Sequence, residues 1–183
     1  MRSLTTNQLL PGSVDALKLC QQGVNVSGFL PLAGLQRLSS QLYVQEGIVQ
    51  VELVFGRDEQ SRKTITGHIE AVLPLVCQRC LERLDVDVAS ELSLALVWSE
   101  DQVVQLPRAL DPVVMDGEDL DLHDIVEEEL LLALPLVAIH EVGTCEPPQL
   151  LAVEQLIDSE PVEKKVNPFK VLAALKTEAK PTE

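Results

Sequence analysis

Two short segments hold the side chains most able to bind or react. Cys77-Gln78-Arg79-Cys80 sets two thiols three positions apart. That spacing turns both sulfurs to one side of a tight loop, as in half of a tetrahedral metal site or in a redox pair. His140-Glu141-Val142-Gly143-Thr144-Cys145 offers an imidazole and a further thiol around a loop that includes Gly143. Together they make Cys-x2-Cys … His-x4-Cys, three thiolates and one imidazole, a donor set that suits zinc. The stretch between the pairs is far longer than a compact finger uses, so a metal here requires a folded domain to join the halves. Without a metal, Cys77 and Cys80 are reduced thiols at a strand end and His140 and Cys145 lie on an ordinary loop. A redox role fits less well. Thioredoxin-like pairs open a helix after a strand, whereas Arg79 and Leu81 lead into another alternating stretch. Cys20 shares a helical spacing with Val14 and Leu17, which predicts a small buried hydrophobe.

The elements that must position these groups follow from periodicity. Lys63 to Val76 alternates, with Ile65, Gly67, Ile69, Ala71, Leu73 and Leu75 on one face and Thr64, Thr66, His68 and Glu70 on the other. This is the pattern of a half-buried antiparallel strand. Leu84, Val86, Val88, Leu92, Leu94, Leu96 and Trp98 keep one parity along a long return strand, so the thiols sit at the joint of the two. Gly67 marks a bulge or a close packing contact. His68 falls on the polar face, where solvent is its default partner.

Upstream, Ser13 to Gln22 reads as a helix capped by Ser13 and stopped by Gly23. Val24 to Phe29 reads as a strand, and Leu32 to Leu38 as a short helix with Leu35 and Leu38 inward. Gln41 to Phe55 reads as a strand region that Gly47 could fold into a hairpin. Gly56 to Ser61 is a polar turn and Ser99 to Pro107 a polar loop. Val113-Val114 reads as a short edge strand. A helix follows from about Leu122 to Leu134, capped by Asp119 or Asp121 and stopped by Pro135. Leu122, Ile125, Val126, Leu130 and Ala133 form its buried stripe. Glu127, Glu128 and Glu129 cannot all face one way, and Glu129 is the carboxylate expected beside that stripe. Leu136 to Ile139 reads as a buried strand or extended arm that returns His140 and Cys145 to the core.

The pattern predicts an α+β fold: an antiparallel β-sheet, open to curling into a partial barrel, with the 122–134 helix packed across it. Residues 1–148 are expected to form a single domain carrying the cysteine knuckle. Residues 149–183 are expected to be an acidic linker, with a short helical spacing at Leu150 to Ile157, and then a short C-terminal helix. Asn167-Pro168 starts that helix, and Phe169, Leu172 and Leu175 give it an apolar stripe. A helix this short is marginal alone in water, so it either packs on the domain or awaits a partner's groove.

Composition narrows the function classes. The chain has 183 residues, of which 46% are hydrophobic and only 3% aromatic, so its core is built from Leu, Val and Ile. No apolar run reaches the ~18 residues of a membrane span. No basic segment followed by an apolar run and a cleavage site opens the chain, which leads to the expectation of a cytoplasmic protein with reduced thiols. The chain carries 29 acidic against 14 basic residues, a net charge of −15. From Asp116 to Glu160 it has no Lys or Arg. Such a surface repels phosphate backbones and favours a basic protein partner. Glu127, Glu128 and Glu129 are the candidate docking residues, joined by the Phe169, Leu172 and Leu175 stripe. A direct RNA-binding module would use a basic stripe with interleaved aromatics, and Arg79 and Arg83 beside the knuckle are the best local candidates. An enzyme is disfavoured. There is no Gly-rich phosphate loop and no Gly-x-Ser-x-Gly elbow, and Asp116, Asp119, Asp121 and Asp124 read as turn and cap residues rather than a metal-dependent active site. His123, beside acidic residues, reads as a surface salt partner.

Three blocks, taken together, carry a resemblance. They are Cys77-Gln78-Arg79-Cys80; Val126 to Pro135 with the following His140 and Cys145; and Asn167 to Lys176. In order and spacing the chain resembles the YceD family, the large ribosomal RNA subunit accumulation proteins of bacteria and plastids, from about Gln41 to its end. The resemblance implies a cytosolic, non-catalytic factor needed for accumulation of 23S ribosomal RNA and so for the large ribosomal subunit. An acidic factor of this kind would hold a basic ribosomal protein or a pre-ribosomal particle by charge complementarity.

Overall fold

Strict alternation of apolar and polar residues builds the sheet that organises this chain. The structure is a computed structural model that describes residues 8–148. Five strands lie in the order β2-β3-β4-β5-β6: β2 (Asn25–Pro31), β3 (Ile48–Arg57), β4 (Lys63–Val76), β5 (Arg83–Val97) and β6 (Asp111–Val114). The first four are antiparallel neighbours, and β6 joins β5 in parallel at the edge. The sheet is mixed and open, with no closure into a barrel. Along β3, Val49, Val51, Leu53 and Phe55 are buried while the residues between them are exposed. Ile65, Ile69, Ala71, Leu73 and Leu75 of β4 and Val88, Leu92, Leu94 and Leu96 of β5 extend the same apolar face. Each fully buried Leu, Ile or Phe stabilises the fold by about 1.5–3 kcal/mol.

Helices α1 (Ala16–Gln22) and α4 (Leu122–Ala133) cover that face, α1 against β3 and β4 and α4 against β5. In α4, Leu122, Ile125, Val126 and Leu130 point inward. The Asp121 carboxylate accepts hydrogen bonds from the backbone of His123 at 2.8 Å and Asp124 at 3.3 Å, which caps the helix. Leu134 is already extended ahead of Pro135, as the residue before a proline must be. In α1 the stop is Gly23, left-handed at φ 62, whose N–H donates to the Leu19 carbonyl. Cys20 is buried, as its spacing implied.

Several expectations are corrected. Ser13 is not a cap: Ser13–Asp15 forms a short strand, β1, paired with β7 (Asp119–Asp121). Asp15 caps α1 instead, accepting from Lys18 N at 2.8 Å. Two three-residue strands bridging helix starts leave too little alternation to be seen in sequence. The 41–55 segment is not a hairpin. The Gly47 carbonyl accepts from Leu32 N and Tyr43 N donates to the Pro74 carbonyl, so this backbone is engaged elsewhere and the strand begins at Ile48. Residues 32–39 are two single turns, a 3₁₀ turn Leu32–Gly34 and α2 (Gln36–Ser39), with Leu35 and Leu38 buried as expected. The 99–107 loop contains a one-turn helix, α3 (Glu100–Val103). Trp98 lies beyond β5, half-exposed, with the Lys63 ammonium 4.5 Å above its ring. Of the two readings of Leu136 to Ile139, the extended arm holds and the buried strand does not: Leu136 is 99% exposed and only Ala138 is buried. The helical stretches at 150–157 and 167–176, with Phe169, Leu172 and Leu175, lie outside the described residues.

Gly67 shows why one position of β4 tolerates no side chain. Its register with Leu53 and Leu92 is continuous, so there is no bulge. A Cβ there would meet the Glu52 carbonyl oxygen at 2.4 Å and a Leu53 methyl at 2.7 Å. Gly67→Ala is expected to cost about 1–3 kcal/mol, the usual range for overpacking. A fall in the urea midpoint with an unchanged slope would show it.

Candidate metal centre

The β4–β5 hairpin ends in a tight turn because Cys77 N donates to the Glu82 carbonyl and Leu81 N to the Cys77 carbonyl, both at 2.9 Å. Leu81 adopts φ 65 to close it. This turn holds Cys77, fully buried, and Cys80, half-buried. After α4, the chain crosses the same hairpin end, where Gln78 N donates to the Ala138 carbonyl at 2.8 Å. That bond, together with those that Arg79 donates and the Arg83 carbonyl accepts, places His140 and Cys145 against the knuckle.

The four sequence-predicted donors therefore converge. One ligand atom from each of Cys77, Cys80, His140 and Cys145 lies within 4.8 Å of all the others. The Cys77 and Cys145 sulfurs are 3.9 Å apart, and Cys80 Sγ is 3.4 Å from His140 Nδ1. A tetrahedral zinc with bonds of ~2.3 Å to sulfur and ~2.0 Å to nitrogen has donor–donor edges of about 3.5–3.8 Å. These two pairs sit near such edges, and the whole set, within 4.8 Å, would draw together to hold the ion. The imidazole is also poised. His140 Nε2 lies 3.1 Å from the Arg83 carbonyl oxygen, to which it can only donate, so Nδ1 keeps its lone pair facing the thiols.

Electrostatics treat the two knuckle thiols differently. Burial opposes ionisation of Cys77, but backbone hydrogen bonds from Cys80, His140 and Arg79 outweigh it and bring the thiol down to about 5. Cys80 moves the other way. A backbone hydrogen bond from Glu82 favours its thiolate, yet burial and the neighbouring Cys77 and Cys145 sulfurs together push it up. Several sulfurs at this distance repel one another once ionised, and a cation between them removes that repulsion. Arg79, read from sequence as an RNA contact, turns inward: Nε donates to Cys145 Sγ at 3.1 Å, and Nη2 to the His140 and Glu141 carbonyls at 3.2 and 2.9 Å. Arg83 stays outside and pairs with Asp85 at 2.7 Å.

The acidic helix divides its carboxylates differently from the expectation. Glu127, not Glu129, is the most buried of the three, at 5% exposure. Its Oε1 accepts from Arg37 N at 2.7 Å and Leu38 N at 3.1 Å, and its Oε2 from Arg37 Nε at 2.9 Å. It thus caps α2 from a distant helix. Burial works against its charge, but the Leu38 N–H and Arg37 hold its carboxyl below the usual range. Glu128 is exposed beside Arg37 at 3.4 Å. Glu129 is half-buried, accepts from Ser90 at 3.3 Å, and is raised chiefly by burial. Arg37 and Ser90 gave no sequence signal, because both partnerships cross distant parts of the chain. Among the described residues His123 has no salt partner; its Nε2 lies 3.2 Å from the Leu10 carbonyl. His68 bridges two acids instead, 2.7 Å from Glu70 and 3.3 Å from Glu91, and its pKa is raised, first by the Glu70 hydrogen bond.

A family model described as large ribosomal RNA subunit accumulation protein YceD matches residues 65–176. The chain is 36% identical over 171 residues to the large ribosomal RNA subunit accumulation protein YceD of Haemophilus influenzae, covering 91% of this chain and 96% of that protein. No solved structure matches.

Proposed function

The chain belongs to the YceD family of large ribosomal RNA subunit accumulation proteins, and from that premise we propose that it is a non-catalytic factor supporting the synthesis, processing or stability of 23S ribosomal RNA and the biogenesis of the large subunit. Its action is on a basic ribosomal protein or an assembly intermediate, in the cytoplasm. The observation that carries the reading is the net charge of −15. A surface of this sign attracts cationic chains and keeps them from stray RNA until they are delivered.

Zinc is the group that the Cys77, Cys80, His140 and Cys145 donors would hold. With all four positions taken by protein, the metal would leave no open site for a reactant and would pin the hairpin end to the arm. The metal-dependent enzyme is therefore the weaker alternative. Direct RNA binding is also weaker, since Arg79 is engaged with the knuckle and Arg83 with Asp85.

Immobilised full-length protein is expected to retain basic large-subunit proteins at low salt and fewer at moderate salt, because screening shortens the reach of its charge. Recovery of bare ribosomal RNA without any basic protein refutes the proposal.

A further inference from the structure

The sheet has one face under the helices and another that no described element covers. On that open face, β3 presents Ile48, Gln50, Glu52 and Val54, all exposed. From β4 come Thr66, His68, Glu70 and Val72, and from β5 Asp85, Asp87, Ala89 and Glu91. The register sets them in rows, Glu52 beside His68 beside Glu91, Gln50 beside Glu70 beside Ala89, and Val72 beside Asp87. The one arginine on these three strands' open face, Arg83, sits at the far end and is paired with Asp85. Large apolar side chains are exposed among the acids: Ile48 at 50%, Val72 at 51% and Val54 at 45%. A shallow hollow of about 430 Å³ is floored by Ile48, Val72 and Ala89 and rimmed by Glu70 and Asp87.

We infer that this face docks a basic, amphipathic stretch of a partner protein, with apolar side chains seated on Ile48, Val72 and Ala89 and Lys or Arg side chains reaching Glu70 and Asp87. The inference rests on the function proposed above and names the surface that performs it. Charge complementarity selects the occupant. Nucleic acid would bring phosphates against Glu52, Glu70, Asp87 and Glu91. A second copy of the face would set like charges together. A cationic segment that also carries apolar residues satisfies both halves of the surface at once. The area suits a short segment, since β3, β4 and β5, ~4.8 Å apart and 10, 14 and 15 residues long, span roughly 500 Å², below the ~800 Å² per partner of a standard interface. Helix α4 is less suited, because Glu127 is turned inward; Glu128 faces Arg37 at 3.4 Å, as Glu70 faces His68 at 2.7 Å, but among the described residues no exposed apolar floor adjoins Glu127.

The test uses the full chain and the RNA-free proteins extracted from large ribosomal subunits. Three versions are compared with the unaltered chain: the double variant Glu70→Lys/Asp87→Lys, Val72→Glu, and Glu128→Lys as a control on α4. Retention of a basic protein is expected to fall roughly tenfold or more in both face variants and to stay within a factor of two in the control. Val72→Glu adds an anion, so bulk attraction alone would strengthen binding there, and weakening marks the apolar floor. Methyl shift changes at Ile48 and Val72 of the unaltered chain on adding the retained protein check the face without any substitution. Unchanged binding in either face variant, or methyl groups that do not respond, overturns the inference while leaving the proposed function standing. Failure of the unaltered chain to retain any basic protein removes both.

Discussion

Glu127→Ala is expected to destabilise the domain by about 3 kcal/mol. The carboxylate satisfies two backbone N–H groups at the start of α2, and its loss combines a missing cap, ~0.5–2 kcal/mol, with an orphaned donor at the buried Leu38, ~1–3 kcal/mol. Glu127→Gln keeps an oxygen for the cap and is expected to lose about half as much. Glu128→Ala removes only an exposed contact with Arg37, worth about 0–1 kcal/mol. Urea unfolding of the three variants measures the ranking, and equal midpoints for the Glu127→Ala and Glu128→Ala proteins would refute it. The pH dependence has a definite sign. Because the folded state holds Glu127 below the ordinary carboxylate range, its contribution is complete above the unfolded value near pH 4.5. It disappears as the pH falls through the folded value. A protein lacking Glu127 should lose less stability on acidification than the parent.

The second large effect concerns the knuckle. Purified protein is expected to carry about one zinc per chain, and Cys77→Ser and Cys145→Ser to carry far less. A ligand bound only by the folded form stabilises it by about 4 kcal/mol when free at a thousand times its Kd. For a domain of this size that corresponds to a fall of roughly 10 °C in Tm on chelation. Arg79→Ala should weaken zinc binding about 10–100-fold without abolishing it, as loss of a group supporting a ligand does. Metal analysis of the three variants beside the parent settles the matter. Unchanged zinc content in both cysteine variants removes the four-donor proposal.

How much of this was legible in the sequence differs by distance along the chain. The hairpin was clear, because alternation from Lys63 to Val76 and from Leu84 onward is local and long. So was α4, bounded by Asp121 and Pro135. The four metal donors could be named as residue types, yet their meeting depends on hydrogen bonds between distant segments, Gln78 N to Ala138 O and Arg79 to the His140 and Glu141 carbonyls among them, that leave no trace in composition. The pairing of β1 with β7 and the Glu127–Arg37 contact were hidden for the same reason. Glu127 and Glu129 were confused because both flank the apolar stripe, and only the approach of α2 decides which turns inward. The Leu136 to Ile139 run illustrates the converse, since apolar residues in sequence implied burial and three of the four are exposed.

The hairpin tip and the arm that completes the knuckle have one temporal consequence. Cys80 precedes His140 by 60 positions, and chains grow at ~5–20 residues per second. During synthesis, then, the first two thiols wait about 3 to 12 s for their remaining partners. Through that interval the nascent chain holds two of the four donors without the other two.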